Sequence, residues 1–281
     1  MILVLGATGT TGGEVARQLI AAGERPRLLV RSSAKAHAFE GKAEIVAGDL
    51  DDEKSLPAAM RGVDRLYLMS TGTNYLELET NAVTAARKAG VRHVVKLSVF
   101  GAEDPQVVFS HWHHAAEQML MKSGMAWTML RPGNFMTNSL AWAPTIKADG
   151  VFHQPSGTGR WAAIDPADIS AVAVKALTST GHEGQAYTLT GRDAMNAAGY
   201  AEVIARVIGK RVAFVDVPPE AARQGMLASG MPAAYVDALL DLLAGMKAGK
   251  MSAVTDTVTR LLGRPASNFE SWVLRHAAAF R

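Results

Sequence analysis

Three glycines at intervals of three, Gly6, Gly9 and Gly12, stand behind the apolar run Ile2 to Leu5 in Met1-Ile-Leu-Val-Leu-Gly6-Ala-Thr8-Gly9-Thr10-Thr11-Gly12-Gly13. Glycine adopts backbone conformations that other residues resist and lets another group approach the main chain closely. A helix is expected next, over Glu14 to Ala22. Its N-terminus would offer free N–H groups and the positive end of a dipole to an anion. The chemistry predicted is pyrophosphate binding, with Gly6, Thr8, Gly9, Thr10, Thr11 and Gly12 as contacts. The spacing is G-x-x-G-x-x-G, not the G-x-G-x-x-G of common dehydrogenases. Glycines also serve plain turns. The context favours a dinucleotide: a strand from residue 2, a helix at once, and a βαβ pattern beyond.

Further candidates follow the later strands. Arg31 closes strand two with no acid near it, and Lys35 comes one helical turn on. An acid there would hold the ribose 2′-OH of NAD, whereas an arginine accommodates the 2′-phosphate of NADP. NADP(H) is therefore expected over NAD(H), although two solvated bases would look the same. Asp49 and Leu50, after strand three, would sit by the adenine, unless Asp49 is only a turn residue. Ser70 and Thr71, after strand four, would line the ribose side. Ser98, after strand five, is either a hydrogen-bonding site residue or a turn hydroxyl. Lys96, within that strand, is expected to point outward. His111, His113, His114 and Glu117 are dense in metal-ligand types, and two His/Glu pairs share a helical spacing. No further ligand cluster accompanies them, and no metal is expected.

These residues need a frame that brings strand ends together. Strands are expected at 27–31, 43–47, 65–69, 93–97 and 127–130. Helices are expected at 33–39, 52–61, 75–89 and 110–123, several closed by glycine. Alternation of this kind implies a parallel, doubly wound Rossmann sheet in an α/β fold, with its ligand at the carboxyl ends of the strands. The second half reads differently: a helix over 166–177, short strands at 186–189 and 212–217, and helices near 197–208, 219–229, 232–247, 252–262 and 268–279. The division expected is a cofactor-binding core over 1–135 and a smaller, mainly helical substrate lobe over 136–281, with 164–190 returning to the core. Met226, Met231, Met246 and Met251 would either line an adaptable pocket in the lobe or serve ordinary packing.

The 281 residues, 48% hydrophobic and 20% charged, are enough for a substantial core. A net charge of +3 without a basic stripe argues against nucleic acid. Having no cysteine excludes disulfides and thiolate chemistry. No apolar run reaches membrane-spanning length, and a cytoplasmic location is expected. The reading admits a homodimer.

GATGTTGG, VRSSAKA, KLSVFGA, the stretch His113 to Glu117, LRPGNFMTN and the terminal GRPASNFESWVLRHAAAF resemble the NmrA-like group of atypical short-chain dehydrogenases/reductases, and within it the bacterial NAD(P)H-dependent quinone and dye reductases. The likeness runs over essentially the whole chain. It implies a Rossmann fold, the same adenine role for Asp49 and Leu50, and a nicotinamide contact for Pro132, Gly133, Asn134 and Phe135. Phe135 would stack on the ring or pack in the core, and Asn138 is a weaker candidate. Typical relatives use Tyr-x-x-x-Lys. Aligning the acid that follows on Glu117 puts His113 at the lysine place and Phe109 at the tyrosine place. Phe109 has no proton to give. A ketone would leave a strongly basic alkoxide needing a placed acid, whereas a quinone leaves a weakly basic oxyanion. An electron-poor acceptor is thus expected.

His113 is the candidate to orient the nicotinamide ribose or relay a proton, with Ser98 beside it and His114 as the fallback. The function expected is hydride transfer from NADPH to a quinone or similar conjugated, aromatic small molecule. The alternative is an NADP(H)-binding redox sensor of the NmrA type. An epimerase or dehydratase is disfavoured by the departure from Tyr-x-x-x-Lys.

Overall fold

The computed structural model describes all residues from 1 to 281. It divides into two compact units, one of Met1–Asp104, Ser110–Arg131 and Pro166–Thr188, the other of Pro105–Phe109, Pro132–Asp165 and Leu189–Arg281.

The first unit is built on apolar runs too short for helices and too hydrophobic for an exposed face, so they stack into a sheet covered on both sides. The strands are β1 (Ile2–Val4), β2 (Arg27–Val30), β3 (Glu44–Ala47), β4 (Arg65–Leu68), β5 (His93–Leu97), β6 (Ala126–Pro132) and β7 (Gln185–Leu189). Their order across the sheet is β3-β2-β1-β4-β5-β6-β7. The pairings among β1 to β6 are all parallel, with Val4 against both Leu28 and Tyr67. The helices are α1 (Thr10–Ala21), α2 (Leu56–Met60), α3 (Tyr75–Lys88), α4 (Val108–Met121) and α5 (Pro166–Thr178). This is the doubly wound α/β sheet that the alternation implied. The chain leaves β1 in one direction toward β2 and returns on its other side at β4, so the ends of β1 and β4 form the switch point where such sheets bind ligands.

Two local features differ from expectation. Helix α1 starts at Thr10, not Glu14, and takes Gly12 and Gly13 into its first turns. Glycine disfavours a helix interior, but close packing decides here: a Cβ on Gly12 would lie 2.3 Å from the Gly6 carbonyl oxygen. The helix expected at 52–61 splits into a 3-10 turn, Glu53–Ser55, and α2. The Asp52 carboxylate accepts the Lys54 N–H and Pro57 sits in the first turn of α2.

The second unit is mainly helical, with helices Ala197–Ile208, Pro219–Ala228, Ala233–Lys247, Thr257–Leu262 and Phe269–His276. Residues 252–256, expected to be helical, are not. Val151–Gln154 pairs in parallel with Ala213–Asp216, and Arg160–Trp161 pairs antiparallel with Met195–Asn196. Its core is aromatic: Trp161 stacks on Tyr200 with centroids 4.9 Å apart, and Tyr200 meets Phe269 edge-on at 4.7 Å. Met246 is buried in this core and Met226 and Met251 pack against it, while Met231 is exposed. No helix in the chain is long and apolar enough to cross a membrane.

Candidate functional site

Because β2, β1, β4 and β5 run parallel side by side, the residues just after them gather along one edge of the sheet. Gly6 to Thr11 follow β1, Arg31 follows β2, Asp49 and Leu50 follow β3, Ser70 and Thr71 follow β4, and Ser98 follows β5. The glycine turn is tight. Gly6 has φ +63°, a value that favours glycine. The Gly9 N–H donates to the Gly6 carbonyl at 2.8 Å. A Cβ on Gly12 would meet the Gly6 and Leu5 carbonyl oxygens at 2.3 and 2.5 Å. Gly9 is the N-cap of α1 and no side chain caps the helix, so the first-turn N–H groups point to an anion's place. Thr8, Gly9 and Thr10 are exposed, while Thr11 and Gly12 are buried beneath them. This cradle fits a dinucleotide phosphate.

Arg31 and Lys35 are both exposed, the latter in the 3-10 segment Ser33–Phe39. Asp49 forms a turn, its Oδ1 accepting the Asp51 N–H at 3.2 Å, and the Leu50 carbonyl accepts from Asn81 at 3.0 Å. Both are half-buried and Thr71 is exposed. A cavity of about 440 Å³ between α2 and α3 is lined by none of the candidate residues, so the site rests on strand-end geometry.

Behind the strand ends lies a charged cluster. Lys96 is fully buried, which corrects the outward orientation expected of it. β5 is a central strand, flanked by Leu68 and Met129 at this register, so neither face of it reaches solvent. A buried ammonium needs a partner. Glu79, also fully buried, provides one, with Nζ and Oε2 2.8 Å apart. Lys96 also donates to the Leu97 carbonyl at 3.1 Å and to the Tyr75 hydroxyl. Tyr75 and Glu79 sit four residues apart on α3, so one helix face supplies both. The Tyr75 hydroxyl lies 2.9 Å from His113 Nδ1, and the two rings are 4.4 Å apart. Burial, then the Lys96 charge, holds His113 well below the usual histidine range. Burial first and Glu79 second push the Tyr75 phenol well above its ordinary value. Burial raises the Glu79 carboxyl, against the opposing pull of Lys96. At neutral pH the imidazole is therefore neutral and the phenol keeps its proton.

Ser98 is buried and donates to Glu117 Oε1 at 2.5 Å. Glu117 in turn forms a two-pronged pair with Arg131, at 3.0 Å from Nε and 2.7 Å from Nη2. Burial works against the Arg131 charge, but the hydrogen bonds to Glu117 outweigh it and raise the guanidinium. These bonds set Ser98 as a fixed post at the end of β5. His114 Nδ1 lies 2.7 Å from the Ala102 carbonyl.

In the second unit, the Gly133 N–H donates to the Leu189 carbonyl at 2.9 Å, and a Cβ on Gly133 would crowd the Ala162 carbonyl at 3.3 Å. Asn134 and Met136 exchange backbone bonds with Ile164, so Phe135 is held in a β-bridge to that residue. Pro132 is buried at the end of β6, and the Asn138 amide donates to Asn134 Oδ1 at 2.5 Å.

Tyr75 and Glu79 were missed in the sequence, and Lys96 was read there only as pointing outward. Their signal was a lysine inside the apolar strand His93–Leu97 of a parallel sheet.

A family model described as NAD(P)H-binding matches residues 6–180. The NAD(P)H azoreductase of Xenophilus azovorans is 40% identical over 283 residues, covering 100% of this chain and 99% of its own. The NADPH-dependent quinone oxidoreductase of Escherichia coli complexed with NADPH superposes with TM-score 0.90 at 29% identity, covering 98% of this chain and 99% of that one. The triphenylmethane reductase of a Citrobacter species, complexed with NADP(H), gives 0.87 at 26%, again covering 98% and 99%. This chain belongs to the NAD(P)H-binding family and is an NAD(P)H-dependent oxidoreductase.

Proposed function

We propose that this protein is an NADPH-dependent reductase of quinones or comparable conjugated, electron-poor acceptors. The observation that carries the cofactor part is the glycine cradle at the uncapped start of α1. The acceptor class is supported by the relatives, whose names are those of an azo reductase, a quinone oxidoreductase and a triphenylmethane reductase. When bound, the cofactor supplies a hydride from its nicotinamide. The chain's own part is to bind, orient and protonate. The backbone N–H groups from Thr10 to Gly12, at the uncapped start of α1, hold the pyrophosphate. Arg31 and Lys35 take the 2′-phosphate, the guanidinium as a planar fork. Asp49 and Leu50 border the adenine, and Ser70 and Thr71 the ribose. His113, neutral and anchored through Nδ1, presents its other ring nitrogen to the ribose or to the acceptor's oxygen. Ser98, fixed on Glu117, accepts a hydrogen bond beside it. Orientation and exclusion of water do the remaining work.

The test is NADPH oxidation, followed by nicotinamide absorbance, against a panel of quinones, with NADH and an Arg31→Ala variant alongside. Turnover with NADPH that the variant weakens selectively supports the reading. Tight NADPH binding with no turnover on any acceptor moves the protein to the redox-sensor class.

A further inference from the structure

We propose that Glu79, Lys96 and Tyr75 form a buried proton relay that feeds His113, so that the protein rather than bulk water supplies the proton an acceptor takes up with its hydride. This rests on the reductase reading above.

The direction of the chain follows from donor and acceptor counts. Lys96 Nζ carries only donors, and it gives one each to the Leu97 carbonyl and the Tyr75 oxygen. The Tyr75 proton is then left for an acceptor. Three lie within reach: His113 Nδ1 at 2.9 Å, the Leu97 carbonyl at 3.4 Å, and the Glu79 carboxylate, the last two already engaged by Lys96. With Lys96 occupying the carboxylate and the Leu97 carbonyl, the relay assigns the Tyr75 proton to Nδ1, and the neutral imidazole then carries its own proton on Nε2. At the far end, the half-buried Ser70 hydroxyl lies 3.4 Å from Glu79 Oε1. The line runs Ser70, Glu79, Lys96, Tyr75, His113, from the end of β4 to helix α4 through a buried interior.

A structural account of this cluster is weak. An ion pair that is fully buried is often no better for stability than apolar residues of the same size. Perturbed ionisable groups at the ligand edge of a sheet are what a proton-handling site requires.

The proton balance closes. Reducing a quinone consumes NADPH and one proton and yields hydroquinone and NADP⁺. The His113 Nε2–H bond breaks as the reduced oxygen takes the proton. Nδ1 takes the Tyr75 proton, Tyr75 is refilled from Lys96, Lys96 is refilled through Glu79 from water at Ser70, and the ring exchanges its Nδ1 proton for one on Nε2 before the next turnover. Both electrons arrive with the hydride, and none moves in the relay. Tyr75, Lys96 and Glu79 are thus positioning and proton-supplying residues acting through His113.

One acceptor class separates proton supply from hydride transfer. A cationic triarylmethane dye becomes its neutral leuco form on gaining hydride alone. In the full-length protein with NADPH, Tyr75→Phe should lower the ratio of quinone to dye turnover by about a hundredfold, the lower end of what a placed acid contributes. Equal losses on both acceptors, or no loss on either, overturn the relay. If the wild type reduces quinones but not the dye, the solvent deuterium effect on quinone reduction decides. The relay requires an effect in the wild type that changes in Tyr75→Phe, and identical effects refute it. A readout free of turnover is the imidazole nitrogen spectrum of His113 without cofactor. It should show a neutral Nε2–H ring at about pH 7, with the tautomers mixing in Tyr75→Phe. An Nδ1–H or charged ring in the wild type overturns the relay. A wild type that reduces neither acceptor defeats the reductase reading, and the spectrum then judges the relay geometry by itself.

Discussion

Lys96→Met would remove one charge from a place that no water reaches. Lys96 and Glu79 are both fully buried and 2.8 Å apart. Methionine keeps most of the stem volume, so little of the loss comes from packing. What remains is a buried carboxylate without its counter-charge, and removing one partner of such a pair costs ~3–5 kcal/mol. Glu79 relieves part of this by taking a proton, since burial already raises its pKa. A carboxyl whose folded pKa exceeds its unfolded one binds protons more tightly when folded, so it favours folding in acid. That contribution is lost as pH rises above the ordinary value of 4.5 and through the raised folded value. The variant should therefore lose stability with rising pH more steeply than the wild type, where Lys96 opposes the shift. Urea unfolding at mildly acidic and mildly alkaline pH measures both the loss and its slope. Replacing the pair together, as Lys96→Met with Glu79→Leu, should recover most of the loss, because apolar substitutes for a buried pair are often neutral or stabilising. A Lys96→Met protein within ~1 kcal/mol of wild type, with the same pH dependence, would refute the argument, since it would place the pair among exposed ones.

Other expected outcomes follow from the same structure. Gly12→Ala puts a methyl 2.3 Å from a backbone oxygen that cannot move aside cheaply; it should cost ~1–3 kcal/mol by thermal unfolding and weaken NADPH in a fluorescence titration. An unchanged dissociation constant would remove the cradle from the site. Arg31→Ala should raise the NADPH dissociation constant about tenfold to hundredfold, from ~1.5–3 kcal/mol of charge-assisted bonding, and leave NADH untouched; equal effects on both would show that Arg31 does not meet the 2′-phosphate. His93 is buried beside Thr128 and its pKa is depressed, chiefly by burial. The unfolded chain then binds the proton more tightly, so stability is full above the ordinary value of 6.5 and falls as pH drops toward the folded value. His93→Gln should flatten that part of a stability–pH profile, and an unaltered profile would assign the acid sensitivity elsewhere.

Much of the frame was legible because short apolar runs and glycine stops are strong local signals. Strand β5 and the helices Ala197–Ile208 and Tyr75–Lys88 carry period and punctuation together. The start of α1 was misplaced because propensity argues against Gly12 and Gly13 in a helix, while contact with the Gly6 carbonyl requires them there. Residues 252–256 contain no turn-forming glycine or proline that would have excluded a helix. In the site, Ser98 was found from its place after strand five, and His113 from the resemblance that aligns Glu117 with the acid following Tyr-x-x-x-Lys. Tyr75, Glu79 and Lys96 come from two elements with intervening chain, and nothing local says that α3 turns its Tyr75–Glu79 face toward the end of β5. The polar residue inside a central strand was the trace of it, since a buried lysine must find an acid.

Hydride transfer from NADPH to a conjugated acceptor is open to single-turnover kinetics. Protein loaded with NADPH or with NADPH deuterated at the transferred position is mixed anaerobically with a quinone, and the decay of nicotinamide absorbance is followed. Hydride transfer to the acceptor requires rapid decay that deuteration slows. Stable absorbance in the presence of every acceptor, with NADPH still tightly bound, would contradict it.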